Sequence, residues 1–294
     1  MEPRLPLAID NLRSRALFDS PPPAELFHYT DLDGMSGILE SRFLWLSKIS
    51  TLNDTSEINL AVHHFKVLAQ EAAGALPREE AQVLVEAAEH LDHFRRTNIC
   101  VGSFCEEEDQ LAQWRSYGND GRGLAIGFAS ARLAAIARQH DVRLVRCVYQ
   151  PEHHVQITKD LAGLLLDAYR HAPPAGDEQR AQLLTQFIST FLLIAPVIKD
   201  SHFGLEREWR LVSLPRPADD HRLTAVLSGN QASVRFVLPL FAEGDNETDV
   251  ISTVVIGPTV DPENIADAVD VLARHRGFRI PAIRYSRIPY RPRR

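Results

Sequence analysis

Three short stretches hold residues whose types and spacing suit chemistry. In "ELFHYTDLDGMSGILE", His28, Tyr29 and Thr30 end a short apolar run and stand directly before a helix. A helix start holds anions through its unpaired N–H groups, so His28, with Thr30 in support, is placed to grip one. In "EREWRL", Glu206 and Glu208 are two apart, so on a strand they share a face with Arg210. Two carboxylates on one face repel, and at least one must meet water, a cation or a ligand. Near a sugar, one acid can hold a ribose hydroxyl and stabilise an oxocarbenium-like transition state while the other positions an acceptor. In "QWRSYGNDGRG", Trp114 and Tyr117 lie three apart on one helix face before a glycine-rich turn. Each stretch also has a plain structural reading: a strand histidine, an acid pair buried against Arg210, and two core aromatics.

Other chemistries lack their residues. The glycines of 118–123 are not followed by Lys-Ser/Thr, as a phosphate-binding loop requires, and do not follow a strand as a dinucleotide fingerprint does. No Gly-x-Ser-x-Gly elbow and no His-Glu-x-x-His occurs. Cys100, Cys105 and Cys147 have no paired spacing and read as free thiols in a reducing compartment. His90 and His93 share a helix face, but a solvated face is the better reading, and no metal site is expected.

These residues need a scaffold, and the chain is long enough to build one. It has 294 residues, 45% hydrophobic and 24% charged, which points to a folded chain with a large core. The net charge of −7 argues against a globally basic nucleic-acid binder. Arg115, Arg122, Arg207 and Arg210 are candidates for a local basic rim, with pairing to nearby acids the alternative. The N-terminus lacks the pattern of a secretory signal, and the apolar window "FISTFLLIAPVI" is too short to span a bilayer. A soluble, cytoplasmic protein with no membrane association is expected.

Residues 1–24 read as a leader closed by "DSPPPAE", 25–290 as a single α+β domain, and 291–294 as a basic tail. The pattern predicts a first strand at 26–29, with Thr30 as the cap of a helix over 31–41, then a strand at 43–47. Asn53-Asp54 with Glu57 has capping-box spacing before a helix reaching about residue 74. Another helix follows from Pro77 to about 96. The run 106–109 reads as the acidic N-terminal end of a helix that carries Trp114 and Tyr117. Helices over 152–171 and 178–199 form a second helical insertion beside that at 55–96. Strands are expected in "NICVGSFC", "LAIGF", "VRLVRCVYQ", "EREWRLVSL", "SVRFVLPL", "ISTVVIGP" and "RIPAIRYSRI".

The blocks "LFHYTDLDGMSGILESRFLWLSKISTLNDTSE", "SFCEEEDQLAQWRSYGNDGRGLAIGF", "EREWRLV" and "VVIGP", in that order, resemble the bacterial domain-of-unknown-function family 2971 from about Leu26 to about Ser286. More distantly, the His-x-Thr ending the first strand, with the short helix after it, is similar to ADP-ribosyltransferase folds. That resemblance implies a mixed or antiparallel sheet core with helical insertions, and NAD as the substrate. His28 and Thr30 would bind the adenosine-side ribose, and Glu208 the nicotinamide-side ribose, with Glu206 as the first acid of the pair. Tyr29, Tyr117 and Trp45 compete to stack on nicotinamide, Tyr117 being favoured by the loop after it. Arg122 and Arg210 are candidates for substrate contact. The implied function is an NAD-consuming ADP-ribosyltransferase or NAD glycohydrolase, an effector in phage defence or a toxin-like role, whose acceptor is a nucleic acid or a protein. A non-catalytic nucleotide- or protein-binding module on the same fold is the alternative, and a nuclease-like hydrolase a second.

Overall fold

The computed structural model describes residues 12, 17–18, 20–51, 55–72, 74–92, 97–228, 231–241, 244–246, 248–258 and 261–290. Among these, the strands are β1 (Glu25–Thr30), β2 (Phe43–Lys48), β3 (Cys100–Cys105), β4 (Leu124–Ala129), β5 (Val142–Arg146), β6 (Glu208–Ser213), β7 (Leu223–Ser228), β8 (Gln231–Pro239), β9 (Ile251–Ile256) and β10 (Ala282–Tyr285). The helices are α1 (Leu32–Ser41), α2 (Thr55–Ala72), α3 (Arg78–Leu91), α4 (Leu111–Ser116), α5 (Ser130–Gln139), α6 (Pro151–His171), α7 (Asp177–Ile194) and α8 (Pro262–His275). The irregular succession of strands and helices, with mostly antiparallel pairing, makes the chain α+β, as its pattern implied.

All the strands belong to one sheet, in the order β10-β9-β4-β1-β3-β2-β8-β7, with β6 also on β3 and β5 beyond β6. Among the described strands, only β10 and β9 pair in parallel. The branch at β3 shapes the centre of the molecule. One edge of β3 pairs with β6 along its length, from Val101↔Val212 to Cys105↔Glu208. The other edge is shared: Cys100 and Val101 pair with β2, and Cys105 pairs with Phe27 of β1. β1 and β2 therefore part along β3. In that gap the imidazole of His28 lies 3.0 Å from the Ser103 carbonyl, standing in for a ladder bond.

Three apolar clusters hold the elements. Helices α2, α3, α6 and α7 pack through Phe65, Phe187 and Phe191 and cover Val101 and Val212 on one side of the sheet. The other side, with α1, α5 and α8, forms a second core around Phe104, Phe128, Trp209, Leu211 and Phe236. The smallest cluster sets Trp114 of α4 against Phe27, Tyr29, Cys105, Ala125 and Val255. The segment Asp177–Val197 is long and apolar enough to cross a membrane, but 56% of that window is buried, which fits a core helix.

Several local expectations are corrected. Asp31, not Thr30, caps α1: its carboxylate accepts from the Gly34 N–H at 2.7 Å, while Thr30 is still in the ladder opposite Leu124. The acids 106–109 precede α4 rather than cap it, and its first turn holds no acid. Glu206 ends a 3-10 turn, Ser201–Glu206, and is not on a strand with Glu208. Strand β7 was not foreseen. Asn53 and Asp54 lie outside the described residues. Leu12, within the stretch read as a leader, is buried in the helical core, and Leu17 and Phe18 pack against it.

Candidate functional site

The gap between β1 and β3 opens into a small cavity of about 60 Å³. Phe27, His28 and Tyr29 line it from β1, and Ser103, Phe104 and Cys105 from β3. Gln113 and Tyr117 reach it from α4 and its cap, Glu206 from the turn before β6, and Glu208 from the start of β6. Five of the residues singled out from the sequence (His28, Tyr29, Tyr117, Glu206 and Glu208) thus border one space. That volume holds a few waters; a nicotinamide ring enters only if the wall moves. Tyr117, 52% exposed, is the most exposed aromatic side chain of that wall.

The surroundings of His28 favour its neutral form. Burial lowers its pKa, and the hydrogen bond to Ser103 only partly offsets this. A carbonyl oxygen can only accept, so Nδ1 carries the proton and Nε2 is left as an acceptor. The α1 N-terminus is already occupied by the Asp31 carboxylate. The chain's own carboxylate thus takes one of the N–H groups expected to hold an anion beside His28.

Tyr29 has a structural job. Its hydroxyl donates to the Glu107 carbonyl at 2.8 Å and accepts from the Gln110 N–H at 3.1 Å. Its ring meets Trp114 edge-on at 4.8 Å. Cys105 is a poor nucleophile, since burial pushes its thiol up to about 11.

The acid pair is bound to cations. Lys199, itself buried, places Nζ 2.5 Å from Glu206 Oε2 and 2.6 Å from Glu208 Oε2. Arg210 donates to both Glu208 oxygens, at 2.7 and 3.0 Å, and to the Pro196 carbonyl. Burial alone would raise the Glu208 pKa, but Arg210 and Lys199 outweigh it and hold the carboxyl at about 2. Tyr149 completes the arrangement by accepting from the Glu208 N–H at 2.8 Å. Arg207 between the acids is left-handed, φ 43°, and this bend brings two carboxylates from different elements to one ammonium.

The other candidates lie elsewhere. Arg210 is buried behind Glu208, which removes it from substrate contact. Trp45 is exposed on β2 with the Arg235 guanidinium 5.1 Å above its ring, and does not border the cavity. Neither does Arg122, which caps the Asn119–Gly121 turn, nor Thr30. Sequence reasoning missed Lys199, Tyr149 and Ser103. Lys199 gives no pattern signal, because its partners are gathered by a non-repetitive turn. A larger depression of about 330 Å³ lies by β9 and β10, lined by Glu108, Asp109, Val255, Arg284, Tyr285 and Arg287. Its charges are largely paired with one another, Arg284 with Glu108 at 2.6 Å.

Residues 113–211 match the family model described as a protein of unknown function, DUF2971. That match supports the DUF2971 family for this chain. The matched stretch contains Tyr117, Lys199, Glu206 and Glu208, so it carries one wall of the cavity, while His28 lies before it. No curated protein and no solved structure matches the chain.

Proposed function

We propose that this DUF2971 protein is an NAD-consuming enzyme, an ADP-ribosyltransferase or NAD glycohydrolase acting in the cytoplasm on an ADP-ribosyltransferase-like fold. The observation that supports this reading is the meeting of His28, Tyr117 and the Glu206–Glu208 pair around one cavity at the split in the sheet. Loss of nicotinamide leaves an oxocarbenium-like ribose, and a carboxylate fixed beside that carbon lowers the barrier. The neutral imidazole of His28 suits a ribose hydroxyl, which donates to Nε2. Tyr117 is the aromatic wall for the nicotinamide ring, and its outward swing admits it. An effector role in phage defence or as a toxin follows from such chemistry, with a protein or nucleic acid as acceptor.

A non-catalytic binding module is the second reading, favoured by the small cavity and by the ion pairs that occupy Glu208. The deciding experiment is nicotinamide release from NAD by the purified chain, with and without cell extract as a source of acceptor. Release abolished in Glu206→Gln and Glu208→Gln proteins that remain folded is the expected result. No release under either condition, with NAD still bound, would establish the module instead.

A further inference from the structure

The two acids of the pair are not equivalent. Glu208 spends three contacts on Arg210 and Lys199, and only 5% of the residue is exposed. A carboxylate has about four acceptor positions, so Glu208 has little left for a ligand. Glu206 gives Oε2 to Lys199, and its Oε1 has no hydrogen-bond partner among the described residues. Its side chain is 22% exposed at the cavity. Across the same space, His28 Nε2 also lacks a partner among the described residues, since Nδ1 takes the Ser103 carbonyl. Two groups that face this space, Glu206 Oε1 and His28 Nε2, are thus acceptors, and Phe27, Phe104 and Tyr117 among its walls are aromatic. Lys199 and Arg210 are consumed inside the acid pair and offer an anion no open face.

We propose that Glu206 is the carboxylate that meets the ligand, that Lys199 positions it, and that the cavity takes a hydroxyl-bearing sugar with an uncharged or cationic ring and refuses phosphate. This deepens the NAD-consuming reading and rests on it for the identity of the sugar. A ribose diol donates one hydrogen bond to Glu206 Oε1 and another to His28 Nε2. A cationic ring on that ribose gains from the acid, whereas a phosphate there would face a carboxylate. Lys199 shares one ammonium between both acids, so Glu206 is held in place without Glu208 being exposed.

The test is calorimetric binding of nicotinamide riboside to the full chain, with inorganic phosphate as competitor, measured beside nicotinamide release from NAD. Glu206→Gln is expected to weaken riboside binding at least tenfold with little change in melting temperature, and millimolar phosphate to leave binding unchanged. Lys199→Met should lose the same binding and Lys199→Arg restore it, a rescue that mere loss of packing would not give. Riboside binding that is absent in the unaltered chain, indifferent to Glu206→Gln, or displaced by phosphate overturns the proposal. Glu206-dependent riboside binding without nicotinamide release would overturn the NAD-consuming reading and leave the site assignment standing.

Discussion

Glu208 shows how a residue with catalytic looks can be held by structure. Its carboxylate joins β6, the Pro196 segment and the turn before β6 through Arg210 and Lys199. Removing one member of a buried ion network leaves charge uncompensated and costs about 3–5 kcal/mol. Glu208→Gln is therefore expected to lower unfolding free energy by about 3 kcal/mol in urea titration, so lost activity in that variant must be read beside its stability. Glu206→Gln, at the exposed end of the network, is expected to cost under about 1 kcal/mol by the same measurement. The pH dependence has a definite sign. The Glu208 carboxyl sits at about 2 when folded, against an ordinary value of 4.5. Its contribution is full above that ordinary value and disappears as pH falls through about 2, because the unfolded chain takes the proton first. His28 adds a loss that begins higher: its folded pKa is lowered, so the unfolded chain is protonated first as pH drops below 6.5. Denaturant midpoints measured from pH 7 to 2.5 should fall throughout, and Glu208→Gln should flatten the part below 4.5.

At the scale of elements, legibility in the sequence depended on whether the cause was local. The sequence pattern gave α1 and the start of α3 to within a few residues, and β1, β3, β4 and β9 were visible as short apolar runs between turn residues. The acids 106–109 misled because their partners are distant in sequence. Glu106 accepts from the Trp209 Nε1–H, Glu107 pairs with Arg207, and Glu108 with Arg284, each a hundred or more residues away. Asp109 accepts from Trp114 Nε1–H, Ser286 and the Arg287 N–H, so the run is a clasp for the C-terminal segment. Strand β7 was hidden because it is an edge strand with Leu227 almost fully exposed, so it lacks a clean apolar face. Glu206 left the expected strand because Arg207 turns left-handed, which no spacing rule detects. The joint beside the cavity carries its own prediction. A Cβ on Gly123 would stand 2.1 Å from the Thr30 carbonyl oxygen and 3.0 Å from the Gly118 carbonyl, backbone on both counts. Gly123→Ala must therefore push the start of β4 away from the end of β1, at a cost of about 1–3 kcal/mol. A melting temperature lowered by several degrees is expected, and an unchanged one would show that the β1–β4 joint is looser than this contact implies.

Across the whole molecule, the two helical insertions are not appendages to a sheet that works without them. They form one layer, since α2 and α3 pack against α6 and α7 in the same apolar cluster. The chain leaving that layer after α7 delivers the Pro196 carbonyl and Lys199 to the acid pair. The cavity on the sheet thus depends on a core some distance from it, and anything that loosens the helical layer should reach Glu206 through Lys199. Leu12 tests how far that core extends toward the N-terminus. It is 4% exposed and belongs to the same cluster as Phe65, Phe187 and Val197. Truncating a buried leucine to alanine costs about 2–5 kcal/mol through lost transfer energy and the cavity left behind. Leu12→Ala should accordingly lower stability by about 2 kcal/mol, and removal of residues 1–18, which takes Leu17 and Phe18 as well, by more. Because Lys199 hangs from the same layer, the truncated chain should also bind nicotinamide riboside more weakly, although it retains every residue that lines the cavity. A truncated chain with an unchanged denaturation midpoint would mean that the segment merely rests on the core.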